Sequence, residues 1–199
     1  MPFDFSTPFA IFVQCIGFLA MGIGICSYQA KRRTAILLIQ ATASLLWSAQ
    51  FLLLGQWTGA ILNILAILRG LVYAKKDQWA WVRSVAVPVG FSVAFAVAGI
   101  LTVPGLFSGE VTLPDLFLAL LPIAAMVLSS FALHVTGENR IRILCFFCSP
   151  PWLVYDLLVG SMAGVFTESF TMVSIVVALL RFWRPKSGKA PESTRDEGN

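Results

Sequence analysis

Two stretches of sequence, 44–63 (SLLWSAQFLLLGQWTGAILN) and 149–168 (SPPWLVYDLLVGSMAGVFTE), share one spacing pattern, Ser-x2-Trp-x7-Gly-x3-Gly. A shift of 105 positions superimposes the first stretch on the second. The matched pairs are Ser44 and Ser149, Trp47 and Trp152, Gly55 and Gly160, and Gly59 and Gly164. The pattern predicts an internal repeat in which each half of the chain contains the same hairpin of two helices.

The composition predicts a membrane protein. The chain has 199 residues, of which 58% are hydrophobic and 12% are charged, and its mean hydropathy is +0.83. A soluble domain carries about 25% charged residues, so the composition excludes an ordinary cytosolic enzyme. Because each membrane-spanning helix needs about 20 apolar residues, seven such helices would leave only short loops and no separate soluble domain.

We predict an all-α membrane protein with seven transmembrane helices. The expected spans are 9–29, 34–54, 59–74, 82–103, 113–134, 143–159 and 163–183. Glycine-containing turns, 55–59 and 160–164, separate two pairs of spans, and basic clusters separate others. The amino terminus has no positively charged n-region, so we expect the first apolar segment to remain as a helix.

The basic residues predict the orientation of the chain, because basic residues concentrate in cytoplasmic loops. With seven spans, all 14 lysines and arginines fall on one side, together with the carboxyl tail. The charged residues expected on the opposite side are all acidic, namely Asp4, Glu110 and Asp115. We therefore expect a multi-pass protein of the bacterial inner (cytoplasmic) membrane, with its amino terminus outside and its carboxyl terminus in the cytoplasm. This distribution also explains the basic pI without a nucleic-acid partner.

The repeat predicts two parallel bundles of three helices joined by one linker helix. Three helices end on the face opposite to their start, so a single extra span restores the direction of the second bundle. We expect the first bundle at 1–78, the linker helix at 79–108 and the second bundle at 109–184, followed by a disordered tail at 185–199 that is rich in polar residues. Parallel repeats of this kind occur in secondary transporters, with the substrate held near the midplane.

This 3-1-3 arrangement resembles the SWEET sugar facilitators, and each half resembles a bacterial SemiSWEET protomer, although the Pro-Gln dipeptide of the wider MtN3/PQ-loop group is missing. In those families a Trp on the middle helix and an Asn on the last helix of each bundle line the substrate pocket. The resemblance implies Trp47 and Asn63 in the first half, and Trp152 in the second. Glu168 stands where the second Asn is expected.

The chain is more similar to the YgjV-type family of bacterial inner-membrane proteins. The resemblance covers most of the chain and is carried by its carboxyl half. The similar positions are Trp152, Gly160, Ser161, Gly164, Glu168 and the segment from Arg181 to Trp183.

Two acidic residues fall within the predicted spans and are candidates for a cavity. Asp156 lies four residues before Gly160, and Glu168 lies four residues after Gly164, so a hairpin brings them to a similar depth. Ionisable groups inside a bilayer usually face a cavity or a partner. Two neighbouring carboxylates should not both be ionised, and the shared proton could couple to a substrate. The alternative is that one or both reach the interface or satisfy a helix end, which we slightly favour for Asp156.

The remaining candidates for substrate contact are uncharged. Trp47 and Trp152 are expected at matching depth, where their rings could stack on a ligand across the repeat axis or simply pack. Asn63 could contact a substrate or hydrogen-bond a neighbouring helix. Gln50 and Tyr155, also 105 positions apart, are expected at the rim of the cavity.

These residues predict a small-solute transporter, either a facilitator or a proton-coupled carrier, for a small polar or weakly cationic solute. The alternative is a non-transporting receptor or scaffold in the membrane. We do not expect an enzyme, a cofactor or a metal site, because Cys145-x-x-Cys148 lacks two further ligands for zinc. The lipid bilayer is the expected partner, and assembly into a homo-oligomer is an open alternative. We also expect Arg69 to extend to the cytoplasmic interface.

Overall fold

The chain folds into α-helices in a computed structural model that describes residues 3, 5–27, 33–76, 78–135 and 138–182. The helices of these segments are α1 (Pro8–Ser27), α2 (Arg33–Leu53), α3 (Trp57–Ala74), α4 (Ala86–Leu101), α5 (Leu113–His134), α6 (Glu138–Val159) and α7 (Met162–Phe182). The segments contain no β-strand, and a short 3-10 helix, Ala80–Arg83, precedes α4. The expectation of an all-helical chain is confirmed. The tail at 185–199 lies outside the described residues.

The helix boundaries differ from the predicted spans mainly at α4 and α6. The fourth span was expected at 82–103, but residues 80–83 form the 3-10 helix and α4 begins only at Ala86. The sixth span was expected to begin at 143, whereas α6 already begins at Glu138. The added turn includes Arg140 and Arg142, so a helix that continues beyond its apolar segment explains the difference.

Five of the described helices are long and apolar enough to cross a membrane. They comprise α1, α3, α5, α6 and α7, whereas α4 and the described apolar part of α2 are shorter. Large apolar side chains cover their outer faces, including Phe12, Leu68, Phe117 and Phe170. A soluble monomer rarely exposes so much contiguous apolar surface, and contact with the lipid bilayer explains it.

Contacts between helices define their relative directions. Gln14 of α1 contacts Gly160 and Met162 at the start of α7, and one turn later the rings of Phe18 and Phe166 lie 6.2 Å apart. Helices α1 and α7 are therefore parallel. In the same way, the carboxyl-terminal halves of α3 and α5 pack together, so this pair is parallel as well.

Helix α4 runs antiparallel to α3 along its full length. At one end, Thr102 donates a hydrogen bond to the Thr58 hydroxyl at the start of α3 (3.0 Å). At the other end, Val87 packs in a cluster with Tyr73 near the end of α3. Although α4 has only 16 residues, the residues around it extend its path to both ends of α3.

The helices contact one another in the order α1, α2, α3, α5, α6 and α7, and α7 returns to α1. Helix α4 lies outside this ring against α3 and α5. The helix directions place the ends of α1, α3, α5 and α7 and the start of α2 at one end of the ring. Most of the described basic residues lie there, namely Arg33, Lys75, Lys76, Arg83, Arg140, Arg142 and Arg181. Glu110 and Asp115 lie at the opposite end, which we call the acidic end.

The two matched glycine turns have the same backbone geometry. Gly55 and Gly160, which end α2 and α6, adopt φ values of 75° and 76°. The next amide in each turn donates to the carbonyl five residues back, at 2.7 Å for Gln56 and 2.9 Å for Ser161. A left-handed glycine followed by this bond is typical of a Schellman helix end. Both turns lie at the acidic end of the ring.

Candidate functional site

A cavity of about 130 Å³ lies inside the helix ring. Five helices supply its lining, namely α2, α3, α5, α6 and α7. The lining residues are Trp47, Phe51, Asn63, Met126, Trp152, Asp156, Gly164, Thr167 and Glu168. This volume is smaller than the roughly 300–1,000 Å³ of pockets for drug-sized ligands, so the cavity suits water molecules or one small solute.

The cavity lies between the acidic end of the ring and its middle. Asn63 and Glu168 are each six residues from the start of their helices, α3 and α7. At 1.5 Å per residue this is about 9 Å along the helix axis, compared with about 15 Å for half of a bilayer core. Both residues therefore lie nearer to the middle of their helices than to the helix starts.

Three stacked aromatic rings form one wall of the cavity. Phe51 lies 6.2 Å from Trp47 and 5.9 Å from Trp152, with interplanar angles of 27° and 16°. The two tryptophans were expected either to stack on a ligand across the repeat axis or to pack within the protein. Phe51 stacks between them, because it follows Trp47 by one helical turn on the same face of α2.

Polar side chains from α3, α6 and α7 also line the cavity. The Asn63 amide donates to the carbonyl of Gly59 (2.9 Å), and the Thr167 hydroxyl donates to that of Ala163 (2.8 Å). Both bonds stay within one helix, so they do not tie Asn63 or Thr167 to a neighbouring helix. Glu168 is half-buried, and the Ser149 side chain of α6 lies within hydrogen-bonding reach of its carboxylate.

Asp156 is buried against Gly164, with only 3% of its surface exposed. A Cβ atom at position 164 would collide with all three atoms of the Asp156 carboxylate group. The missing side chain at Gly164 thus makes the space that the carboxylate occupies. Asp156 Oδ1 has no hydrogen-bond partner among the described residues, an unusual state for a buried carboxylate oxygen.

Gln50 and Tyr155 lie outside the cavity lining, contrary to the expectation that they rim it. Both are fully buried between helices. Tyr155 accepts a hydrogen bond from the Gly59 amide (3.2 Å), and Gln50 accepts one from the Ser161 hydroxyl (3.3 Å). Each side chain packs against a glycine of a neighbouring helix, Gln50 against Gly17 and Tyr155 against Gly59. Because these glycines have no side chain, Gln50 and Tyr155 fit between the helices and do not face the cavity.

Arg69 closes the ring on the side of the cavity away from the acidic end. Its Nη1 donates to the carbonyl of Met126 (3.0 Å) and to the hydroxyls of Ser129 (2.6 Å) and Ser130 (2.9 Å) of α5. The guanidinium lies 5.0 Å from the centre of the Phe95 ring of α4. With 7% of its surface exposed, Arg69 does not extend to the interface as expected, because the α5 serines and carbonyl bind it inside the protein.

The cavity is acidic. Among the described residues its lining contains two carboxylates and no basic side chain. Arg69 lies beyond Met126, and its hydrogen bonds go to uncharged groups. No group of three or more His, Cys, Asp and Glu side chains in the described residues is arranged to hold a metal ion. The arrangement favours a proton or a cationic group over an anion.

Of the seven predicted site residues, the structure brings five together in the cavity and places two elsewhere. The lining residues that the sequence reasoning missed are Phe51, Met126, Gly164 and Thr167. Phe51 is the 105-residue mate of Asp156, and Gly164 belongs to the matched glycines, so the repeat could have identified both. Thr167 adjoins Glu168, but no sequence signal points to Met126.

Comparison with known proteins gives one family match. The profile of the Imp-YgjV family, described as a bacterial inner membrane protein, matches residues 11–186. The match covers every described helix except the first three residues of α1. No curated protein and no solved structure is significantly similar to the chain.

Proposed function

Because this chain belongs to the Imp-YgjV family of bacterial inner membrane proteins, we propose that it carries a small solute across that membrane. The solute, a small polar or weakly cationic molecule, binds in the cavity of the helix ring and is translocated without chemical change. One observation carries this proposal: five helices from both halves of the chain line a cavity that contains two carboxylates and, among the described residues, no basic side chain. Polar groups inside a membrane protein usually mark a solute or ion pathway.

The proposed architecture is two parallel three-helix repeats joined by α4. The first repeat comprises 1–78, the linker 79–108 and the second repeat 109–184. Three findings support it: α1 is parallel to α7, α3 is parallel to α5, and the two glycine turns match. The ring also has the same order of contacts if α1, α2 and α3 change places with α5, α6 and α7.

We propose that the basic end of the ring faces the cytoplasm and the acidic end faces outward. This orientation leaves the amino terminus outside and the carboxyl terminus inside, as the distribution of basic residues indicates. Exposed tryptophans support two interfacial belts, since Trp57 lies at the start of α3 and Trp79 and Trp81 follow its end. Tryptophan is enriched at both membrane interfaces.

In the proposed mechanism one repeat rocks against the other. The contacts between repeats lie at different depths, with Gln14 and Phe18 near the acidic end and Arg69 beyond the cavity. If the contacts at one depth break while those at the other depth remain, the cavity opens to one side of the membrane at a time. Glu168 would bind a proton when the solute is absent and thereby couple the two movements.

Flux measurements test this function. Purified protein in liposomes is screened with labelled sugars, amino acids, nucleosides and amines at two pH values. We expect uptake of one solute class above that of protein-free liposomes, and we expect Glu168→Gln to remove the pH dependence of that uptake. Glu110→Gln is the matched control, because Glu110 is exposed outside the cavity. The absence of flux for every class would refute the carrier and leave a receptor or scaffold.

A further inference from the structure

We infer that the cavity is a binding site for a small organic cation, an ammonium or guanidinium compound. The inference deepens the proposed function and rests on the same cavity, but it concerns binding and does not require transport. It combines an aromatic wall, two carboxylates without a basic partner in the lining, and a limited volume.

Charge is the first argument. Asp156 and Glu168 both line the cavity, and its described lining contains no lysine, arginine or histidine. Asp156 is more than nine-tenths buried and its Oδ1 has no hydrogen-bond partner among the described residues. A buried carboxylate oxygen without a hydrogen bond is costly, and a bound cation with N–H groups would supply the missing charge-assisted hydrogen bond.

The aromatic wall is the second argument, and it separates an organic cation from a metal ion. The stacked rings of Trp47, Phe51 and Trp152 lie beside the carboxylates in the same cavity. An aromatic ring attracts a cation through its negative face, most strongly when the cation is poorly hydrated. A sodium ion would instead require several oxygen ligands, whereas apolar rings occupy much of this lining.

Volume sets the size of the ligand. The cavity volume is about 130 Å³, which is smaller than the roughly 300–1,000 Å³ of pockets for drug-sized ligands. The ligand is therefore expected to be smaller than a drug-sized molecule.

The two carboxylates have separate roles in this arrangement. Asp156 is held in place by its contact with Gly164, so its carboxyl group has a fixed position in the lining. Glu168 is half-buried and lies near Ser149, so it can move toward a bound ligand. Asn63 adds a neutral amide on α3, which suits a ligand that carries a single positive charge.

Calorimetric titration of the full-length protein in detergent tests the inference, with ethylammonium, tetramethylammonium and guanidinium as probes. Sodium, glucose and acetate are the comparison ligands. We expect saturable binding of at least one organic cation, and a loss of affinity of about tenfold or more in Asp156→Asn and in Glu168→Gln. Glu110→Gln and Trp57→Phe, both outside the cavity, should leave the affinity unchanged.

Two variants guard against a folding defect in Asp156→Asn. Glu168→Gln changes the less buried carboxylate, and Trp152→Leu removes a ring without altering charge and should weaken binding several-fold. Binding of sodium alone, equal binding of glucose, or cation binding that none of these cavity variants alters would overturn the inference.

The flux screen and the titration fail separately. Transport of a neutral or anionic solute without cation binding would overturn this inference and leave the carrier function intact. Saturable cation binding that depends on Asp156 and Glu168, without flux of any solute, would support this inference and refute the carrier.

Discussion

Gly164 and Asp156 determine the shape of the cavity where α6 and α7 meet. Asp156 is the repeat mate of Phe51, so the two halves of the chain place a carboxylate and a phenyl ring at equivalent positions. Asn63 and Glu168 differ in the same sense, and both acids belong to the second half. Both acidic residues of the lining therefore lie on α6 and α7, on one side of the cavity.

The Gly164→Ala variant tests whether Gly164 makes room for the Asp156 carboxylate. In Gly164→Ala the new Cβ occupies the space of the Asp156 carboxylate, so the carboxylate must rotate away from α7. We expect the affinity for the organic cation to fall by about tenfold, as measured by titration. Gly22→Ala is the matched control, because nothing lies within 4 Å of a Cβ there. Equal affinities in the two variants would contradict the role of Gly164.

Helix α3 links the cavity to the rest of the molecule. Asn63 lies in the cavity, and two turns later Arg69 joins α3 to α5 and contacts the Phe95 ring of α4. The hydrogen bonds of Arg69 among the described residues go to uncharged groups of α5. Arg69 connects α3, α4 and α5 at one point, on the side of the cavity away from the acidic end.

Removal of this side chain should destabilise the helix ring. Arg69→Ala loses three hydrogen bonds and leaves an empty volume, which together should cost about 2–4 kcal/mol of unfolding free energy. Thermal unfolding in detergent measures the difference. Arg140→Ala, at an exposed position of α6, should change stability by less than about 0.5 kcal/mol. An Arg69→Ala protein as stable as the parent would show that α3 and α5 are held together without this contact.

The sequence predicted elements better than it predicted side-chain environments. Hydropathy located the helices because lipid-facing surfaces must be apolar along their whole length. It could not show that Phe51 separates the two tryptophans, because that depends on how α2 and α6 are rotated against each other. Nor could it show that Arg69 turns inward, since the acceptors Ser129 and Ser130 lie on another helix.

On the scale of the whole molecule, the parallel directions of α1 and α7 and of α3 and α5 fix which loops share a side. Under the proposed orientation, Ser108 lies outside and Ser84 lies in the cytoplasm, and both are exposed. In a background without native cysteines, Ser108→Cys should react with a membrane-impermeant thiol reagent in intact cells. Ser84→Cys should react only after permeabilisation. The reverse pattern would invert the proposed orientation.

Access to the cavity from both sides of the membrane is the central requirement of a carrier. Thr167→Cys places a thiol in the cavity lining, in the same cysteine-free background and in vesicles of uniform orientation. We measure its labelling rate by an impermeant reagent added first on one side and then on the other. The account predicts labelling from either side, with saturating solute slowing both rates. Labelling from one side only, whatever the solute, would contradict it.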